Sequence, residues 1–276
     1  VLKMPLLARI PPPPRKLERE QQLVMIADST GRGADAFRRL RMNLEFASVG
    51  KPSQVTMVTS ALPREGKSTT FANLGVAMAQ AGKSVALVDL DLHRPMLSKF
   101  FRLGSDQLGL TGVVLGHIEL DEALVPIRLE PQVPTSGSGD WDGGSSISSK
   151  ADGGSLVVLP SGALPPDPGE FVGLNAVERV IAALRERVEV VLLDAPPLLA
   201  VGDGLTMAGF ADALVVAVRS DLARKPVTGE LAAMLARLPA VKLGFVLCGD
   251  AGLESSSYAY SYGSYAYSDA GEEVRR

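Results

Sequence analysis

Residues 61–69 read Ala-Leu-Pro-Arg-Glu-Gly-Lys-Ser-Thr, set between the apolar run Val55-Thr56-Met57-Val58 and an apolar-periodic segment at 70–81. Strand, tight loop and helix in that order form the context a phosphate-binding loop needs. Backbone N–H groups at the helix start converge on the loop, and the helix dipole adds partial positive charge, so phosphate oxygens bind there. The pattern is G-x-x-x-x-G-K-[ST] with Ala61 in the first glycine's place. Pro63, Arg64, Glu65, Gly66, Lys67, Ser68 and Thr69 are therefore expected to hold a nucleotide. Lys67 would reach the β- and γ-phosphates, and the Ser68 hydroxyl would bind Mg²⁺. An ordinary turn with a surface lysine explains neither the glycine before the lysine nor the two hydroxyls after it.

Further apolar runs follow at the spacing of an α/β sheet. Residues 84–90 contain Val85-Ala86-Leu87-Val88 and close on Asp89 and Asp91. Runs that are apolar on both faces belong to buried parallel strands. Carboxylates at their C-terminal ends sit where such sheets bind ligands. Two of them, two residues apart and beside a phosphate loop, suit Mg²⁺ or proton abstraction. Residues 156–159 make a third strand, and 188–193 a fourth that ends in Asp194-Ala195-Pro196-Pro197. An apolar strand followed by Asp is the Walker B arrangement, whose carboxylate holds Mg²⁺. Strands at 213–218 and 243–247 complete the set. Helices are expected at 67–80, ended by Gly82, in two short pieces around Gly116, after 170 to about 187, and near 226–237. The alternation predicts an α/β chain with a doubly wound, mainly parallel sheet of the P-loop NTPase kind.

At 276 residues and 46% hydrophobic, the chain can bury one generous core with appendages. Its net charge of −3 provides no global basic field, so no nucleic-acid partner is expected. A lone cysteine, Cys248, excludes an internal disulfide framework and fits a reducing compartment. No apolar run approaches the ~18 to 20 residues of a membrane span, and no signal-peptide pattern opens the chain. The expectation is a soluble, intracellular chain; since it starts at Val1, it could be a piece of something longer.

Three regions are expected. Residues 1–33 hold four consecutive prolines, Pro11 to Pro14, which favour an extended segment that cannot join a helix or central strand. A plain linker and a docking arm explain this stretch equally well. Residues 34–252 form the nucleotide-binding domain, opened by a helix over 35–46 with Phe37, Leu40 and Leu44 on one face and Arg38 with Arg41 along a basic edge. Within it, residues 131–155 are rich in Gly, Ser and Asp and too poor in apolar residues to offset ordering entropy, so a flexible insert is expected. Trp141 lies inside it. Residues 253–276 form a tail. Tyr258, Tyr260, Tyr262, Tyr265 and Tyr267 are all five tyrosines of the chain, with Ser, Ala and Gly for neighbours. Core tyrosines would have aliphatic neighbours, so these hydroxyls are expected to be accessible.

Taken together, these motifs resemble the bacterial tyrosine kinases, cytoplasmic ATP-dependent kinases linked to capsule and exopolysaccharide export. The loop ALPREGKST, the strand with its D-x-D in Val88-Asp89-Leu90-Asp91-Leu92-His93-Arg94-Pro95, the Walker B stretch Val191-Leu192-Leu193-Asp194-Ala195-Pro196-Pro197 and the tyrosine-rich tail carry the likeness, over roughly residues 35–267. The run LPSGALPPDPGEF and the opening helix are similar to family segments as well. There are departures. The family's E-x-x-R-x-x-R oligomer helix is matched here by Asp35, Arg38 and Arg41, with the shorter carboxylate. Arg64 stands where the family often has Gly, and His93 where it often has Arg. Cys248 falls where related ATPases often place a base-reading Asn.

The resemblance implies transfer of the ATP γ-phosphoryl group to a tyrosine hydroxyl, with ATP and Mg²⁺ as cofactors. Lys67, Asp89 and Asp91 are the catalytic candidates, Asp89 orienting or deprotonating the phenol. Ser68, Asp91 and Asp194 are the metal candidates, and the five tail tyrosines the acceptors. It also implies a ring-like homo-oligomer, a transmembrane chain-length regulator fused or separate, a cognate phosphotyrosine phosphatase, and a place at the inner face of the cell membrane. About 15 extended tail residues span about 50 Å, enough to reach a neighbour's site, though folding back is also within reach. Five phosphates would add roughly −8 to −10 charges, which points to phosphorylation loosening the assembly. The rival readings are a partitioning or septum-placement ATPase, a nucleotide-dependent assembly module whose tyrosines only bind partners, and a small-molecule kinase or ligase; none of these needs the tail chemically.

Overall fold

The computed structural model describes residues 2–104, 108–129, 153–172 and 175–250. In chain order these form β1 (Leu6–Ile10), α1 (Arg15–Arg19), α2 (Val24–Ala27), α3 (Arg32–Ser48), β2 (Val55–Ser60), α4 (Lys67–Gln80), β3 (Ser84–Asp89), α5 (Leu97–Phe100), α6 (Leu110–Val114), α7 (Leu120–Ala123) and β4 (Val125–Ile127). They continue with β5 (Ser155–Leu159), α8 (Pro168–Val172), α9 (Asn175–Arg185), β6 (Val190–Asp194), α10 (Asp203–Ala208), β7 (Ala213–Arg219), α11 (Lys225–Leu235) and β8 (Val241–Cys248).

The strands make one eight-stranded sheet in the order β1-β8-β7-β2-β6-β3-β5-β4. Every pairing is parallel except β4 with β5. All six residues of β2 are buried, as expected of a strand covered on both faces. One apolar layer, with Phe37, Leu40, Phe71 and Leu74 of α3 and α4, packs on one face of the sheet. The other, with Val177, Ile181, Leu184, Leu231 and Leu235 of α9 and α11, covers the opposite face. The doubly wound α/β expectation therefore holds. The strand order places β2 between β6 and β7, so chains leaving it for either side part there. This is the switch point at which α/β sheets leave a crevice for ligands.

The N-terminal stretch differs from a free linker or arm. Leu6–Ile10 adds a parallel edge strand to β8, and Phe245 N–H donates to Pro5 O at 2.9 Å. The prolines themselves do stay out of the sheet: they follow Ile10 and lead into α1, with Pro14 at its N-cap. Beyond them α2 docks on α4. Met25 is fully buried, and its N–H donates to Asn73 Oδ1 at 3.0 Å. Leu7, Ile10, Leu17, Leu23 and Val24 are buried with it. A five-residue strand without clear alternation carries no local signature; its burial depends on β8, more than two hundred residues away.

The two short helices around Gly116 are α6 and α7. The helix expected to reach about residue 187 appears as α8 and α9, ending at Arg185, with Leu174 outside the described residues. Most of the glycine- and serine-rich insert, including Trp141, and the whole tyrosine cluster also lie outside them. Among the described residues no helix is long and apolar enough to cross a membrane.

Candidate active site

The phosphate-binding loop leaves β2 and enters α4 at Lys67. Gly66 sits at the helix N-cap with φ +89°, a left-handed conformation that glycine alone adopts without strain. A Cβ there would also meet Cys248 Sγ at 3.3 Å. Arg64 is left-handed too, with φ +69°. Glycine adopts this conformation freely, and arginine tolerates it at a cost of about 1–3 kcal/mol. Replacing Arg64 by Gly is expected to leave stability unchanged or raise it by up to about 1 kcal/mol, because the relief of strain is partly offset by glycine's larger unfolded-state entropy. Arg64→Val should lower it; denaturant midpoints of the three proteins test this.

Glu65, expected among the nucleotide-holding residues, turns inward instead. It is 2% exposed, and its Oε2 accepts the Leu62 N–H at 2.7 Å. Burial pushes its carboxyl pKa up, against the pull of the N–H groups of Leu62, Arg219 and Ala61. Its work is to hold the loop's shape from behind, leaving the phosphate face to the others.

The carboxylates arrive from two adjacent strands. Asp89 ends β3 and Asp194 ends β6, directly across the ladder from one another. Both are fully buried, and Asp91 is 3% exposed. Lys67 Nζ lies 2.5 Å from Asp91 Oδ2, 3.3 Å from Asp194 Oδ1 and 3.0 Å from Ser68 Oγ. Burial alone would lower the Lys67 pKa, but Asp194, Asp91 and Asp89 outweigh it and hold the ammonium's pKa above its ordinary value. Asp194 is raised by burial, against the pull of Lys67. Asp89 is raised to about 7 by burial and by the neighbouring Asp194 charge, although the Met96 and Leu97 N–H groups both donate to its Oδ2, at 2.9 and 3.0 Å.

Lys67, Ser68 and Asp91 open onto a cavity of about 430 Å³. Pro63, Arg64, Gly66, Lys67, Ser68, Thr69 and Asp91 line one side; Met96, Phe100, Pro196, Pro197, Ala200 and Val201 form an apolar wall. His93 and Arg94 line it as well, and His93 Nε2 lies 2.8 Å from Asp203 Oδ2 on α10. Neither Asp89 nor Asp194 lines this cavity: both are fully buried, and Asp89 Oδ2 is taken by the Met96 and Leu97 N–H groups. The apolar wall escaped the sequence reading. Pro196 and Pro197 adjoin the Walker B aspartate and offered a signal, whereas Phe100 and Val201 reach the cavity only through the fold.

The residues fit a magnesium nucleotide. Asp194 Oδ2 and Asp89 Oδ1 are buried without a hydrogen-bond partner among the described residues. No group of three or more His, Cys, Asp or Glu side chains closes around a metal there. Mg²⁺ needs none, since it keeps several waters and binds through one or two carboxylates plus substrate phosphates.

Cys248 is not placed to read a base. It is buried beneath the loop against Gly66, with its Sγ 3.4 Å from Thr70 Oγ1. Burial pushes its thiol up from 9.0 to about 11. Folded protein is therefore expected to resist aromatic disulfide reagents at pH 8 and to react within seconds once denatured, which a colorimetric thiol assay follows. Between about pH 9 and 11 the native thiol keeps a proton that the unfolded chain releases, so this residue's contribution to stability falls as pH rises through that window.

Asp35, Arg38 and Arg41 lie on α3 with partners inside the chain. Arg38 Nη1 donates to Asp35 Oδ1 at 2.8 Å, and Arg41 Nη1 to Glu45 at 2.9 Å. Arg38 also reaches the Ser29 carbonyl.

Residues 57–217 match the CobQ/CobB/MinD/ParA nucleotide binding domain. The chain is 31% identical over 245 residues to tyrosine-protein kinase YwqD of Bacillus subtilis, covering 89% of this chain and 92% of that one. It is 26% identical to tyrosine-protein kinase CpsD of Streptococcus agalactiae, over 84% and 90% of the two chains. The solved structure of the chimerical protein CapA2B2 superposes with a TM-score of 0.74 at 26% identity, covering 90% of this chain and 96% of that one. With its loop, its D-x-D strand and its Walker B aspartate assembled on that fold, the chain belongs to the bacterial tyrosine kinase family of P-loop proteins.

Proposed function

We propose that this chain is an ATP- and Mg²⁺-dependent protein-tyrosine kinase that phosphorylates its own C-terminal tyrosines. The reading rests on one juxtaposition: a nucleotide loop carrying Lys67 and Ser68, with Asp91 and Asp194 bonded to that lysine, in a chain whose five tyrosines all fall within residues 258–267 of its sequence. Lys67 and the loop N–H groups neutralise charge developing on the transferred phosphoryl group. Ser68, Asp91 and Asp194 would hold Mg²⁺, which would supply positive charge to polarise the phosphates. Catalysis of this kind is mostly placement and electrostatics. The apolar wall from Met96 to Val201 offers the acceptor ring a dry surface beside the phosphates. Asp89 remains the candidate to assist deprotonation, through a rearrangement that opens it to the cavity.

In the same reading the protein acts in trans within an oligomer built partly on Asp35, Arg38 and Arg41. It works with a membrane-spanning regulator at the inner face of the membrane, and a phosphotyrosine phosphatase resets it. Its role is control of polysaccharide polymerisation and export.

Incubation with ATP·Mg²⁺ followed by phosphopeptide mass spectrometry tests the reaction. Phosphate on Tyr258, Tyr260, Tyr262, Tyr265 or Tyr267 is the expected result. ATP turnover that leaves the tail unmodified would instead support an ATPase of the partitioning type, and nucleotide binding with neither outcome an assembly module.

A further inference from the structure

The apolar wall of the cavity comes in two halves from distant parts of the chain. Met96 and Phe100 follow His93, at the N-cap and the last residue of α5; Pro196, Pro197, Ala200 and Val201 precede Asp203, the first residue of α10. One bond joins the halves, with His93 Nε2 2.8 Å from Asp203 Oδ2. A carboxylate only accepts, so Nε2 carries the hydrogen. Both ends of this bond are anchored. The Arg94 N–H donates to Asp91 Oδ1 at 3.1 Å, and Asp91 Oδ2 lies 2.5 Å from Lys67 Nζ, so the turn carrying His93 is registered on the phosphate end of the site. Asp203 Oδ1 packs against Gly169 of α8, where a Cβ would stand 2.8 Å from that oxygen. The Asp203 side chain is 16% exposed, a fixed post onto which the more open His93 closes from the cavity side. A partly exposed pair of this kind adds little to stability; what it sets is the relation of the two apolar halves.

We infer that the His93–Asp203 bond clasps the two halves into one preformed seat for the acceptor's aromatic ring, with both residues positioning and neither reacting. The inference rests on the kinase reading above and adds to it where the acceptor sits. A phenol must bring its oxygen up to phosphates held by the loop while its ring leaves water, and the apolar wall shares a cavity with that loop. With the bond made, α10 and the turn before α5 cannot drift apart, and the seat exists before the acceptor arrives. With the bond broken, the acceptor must close the seat itself, and its apparent affinity falls by the fraction of time the seat is formed. Serine and threonine carry no ring to fill such a seat, so the same device favours tyrosine. Lys67, Ser68 and the loop hold the nucleotide independently of it.

Phosphate transfer from ATP·Mg²⁺ to a synthetic peptide of residues 255–268, added to the full-length chain and read by mass spectrometry, tests this. His93→Ala and Asp203→Ala are each expected to raise the KM for the peptide about 10-fold, the lower end of what one hydrogen bond to a charged group is worth. Both kcat at saturating peptide and the calorimetric affinity for ADP·Mg²⁺ are expected to stay within about 2-fold of wild type, the signature of a residue that acts on acceptor binding. His93→Gln, whose amide still donates to Asp203, is expected to bring KM back to within about 3-fold of wild type. The double alanine variant is expected to be no worse than either single one, as for two residues that act through one bond. A peptide KM unmoved by the alanine changes overturns the inference. So does a double variant whose effects multiply, or an equal loss of ADP affinity, which would make the bond part of the nucleotide site. Wild-type protein that modifies its own tail but not the peptide overturns it too, because a preformed seat must admit a free tyrosine. Binding of ADP·Mg²⁺ with phosphate on neither tail nor peptide takes down the kinase reading itself. Either end of the bond can be removed alone, so the test stands if one variant does not fold.

Discussion

Replacing Lys67 by methionine is expected to abolish detectable phosphorylation of the tail, with a loss in rate of at least about 10² to 10³, the usual cost of removing one preorganised group that stabilises transition-state charge. Among the described residues, Lys67 is the one ammonium that bonds both Asp91 and Asp194, and the cavity opens directly onto it. No neighbour can stand in. Arg64 and Arg94 line the cavity but sit on its exposed rim, and His93 is engaged with Asp203. The same change also acts on the resting protein. Removing one partner of a buried pair costs about 3–5 kcal/mol when the remaining charge stays ionised. Here the cost is moderated, because burial already raises the Asp194 carboxyl pKa and a proton can replace the lysine. Phosphotyrosine mass spectrometry together with a thermal melt separates the two effects. A variant that melts like wild type yet still phosphorylates its tail would remove Lys67 from the mechanism.

The second large effect is expected far from the cavity. Met25→Ala should destabilise the protein by about 2–5 kcal/mol, the range for emptying a fully buried large side chain. In a domain of this size each kcal/mol lowers the melting temperature by about 2–4 °C. Met25 has no exposure and sits in the apolar layer with Phe37, Leu40, Phe71 and Leu74. Asn73→Ala should destabilise through the same contact, because it strands the Met25 N–H in the interior at a cost of about 1–3 kcal/mol. If residues 1–33 behaved as a free linker, neither change at this contact would be felt to that degree. A melting temperature for Met25→Ala within a degree of wild type would show that α2 does not hold to α4 in solution.

Those two residues also mark where reading the chain succeeds and where it stops. Lys67 is legible because its chemistry is local: a glycine before it, hydroxyls after it, an apolar strand behind. Asp89, Asp91 and Asp194 are legible for the same reason, each ending or following a run of residues apolar on both faces. Met25 is not, since nothing in Leu23-Val24-Met25-Ile26 says that Asn73 waits to accept its N–H. Glu65 misleads in a subtler way. Its position in the loop motif is that of a ligand-facing residue, and only the bond to the Leu62 N–H shows that it points inward. Cys248 lies at an expected place in the chain but beneath the loop, where its thiol touches Thr70 and not a base.

The sequence by itself determined the family, the doubly wound sheet and the identity of the charged groups at the site. These follow from hydrophobic period and from short motifs whose geometry is set within a few residues. Only the tertiary structure decided that the N-terminal stretch closes the edge of the sheet, that Glu65 turns inward, that neither Asp89 nor Asp194 lines the cavity, and that Lys67 bonds Asp91 and Asp194. Except for Glu65, held by the Leu62 N–H three residues away, each depends on which buried groups lie within about 3 Å of one another across the sheet. At that range a buried charge or N–H must find a partner from whatever strand the fold brings there, and no local pattern records which strand that is.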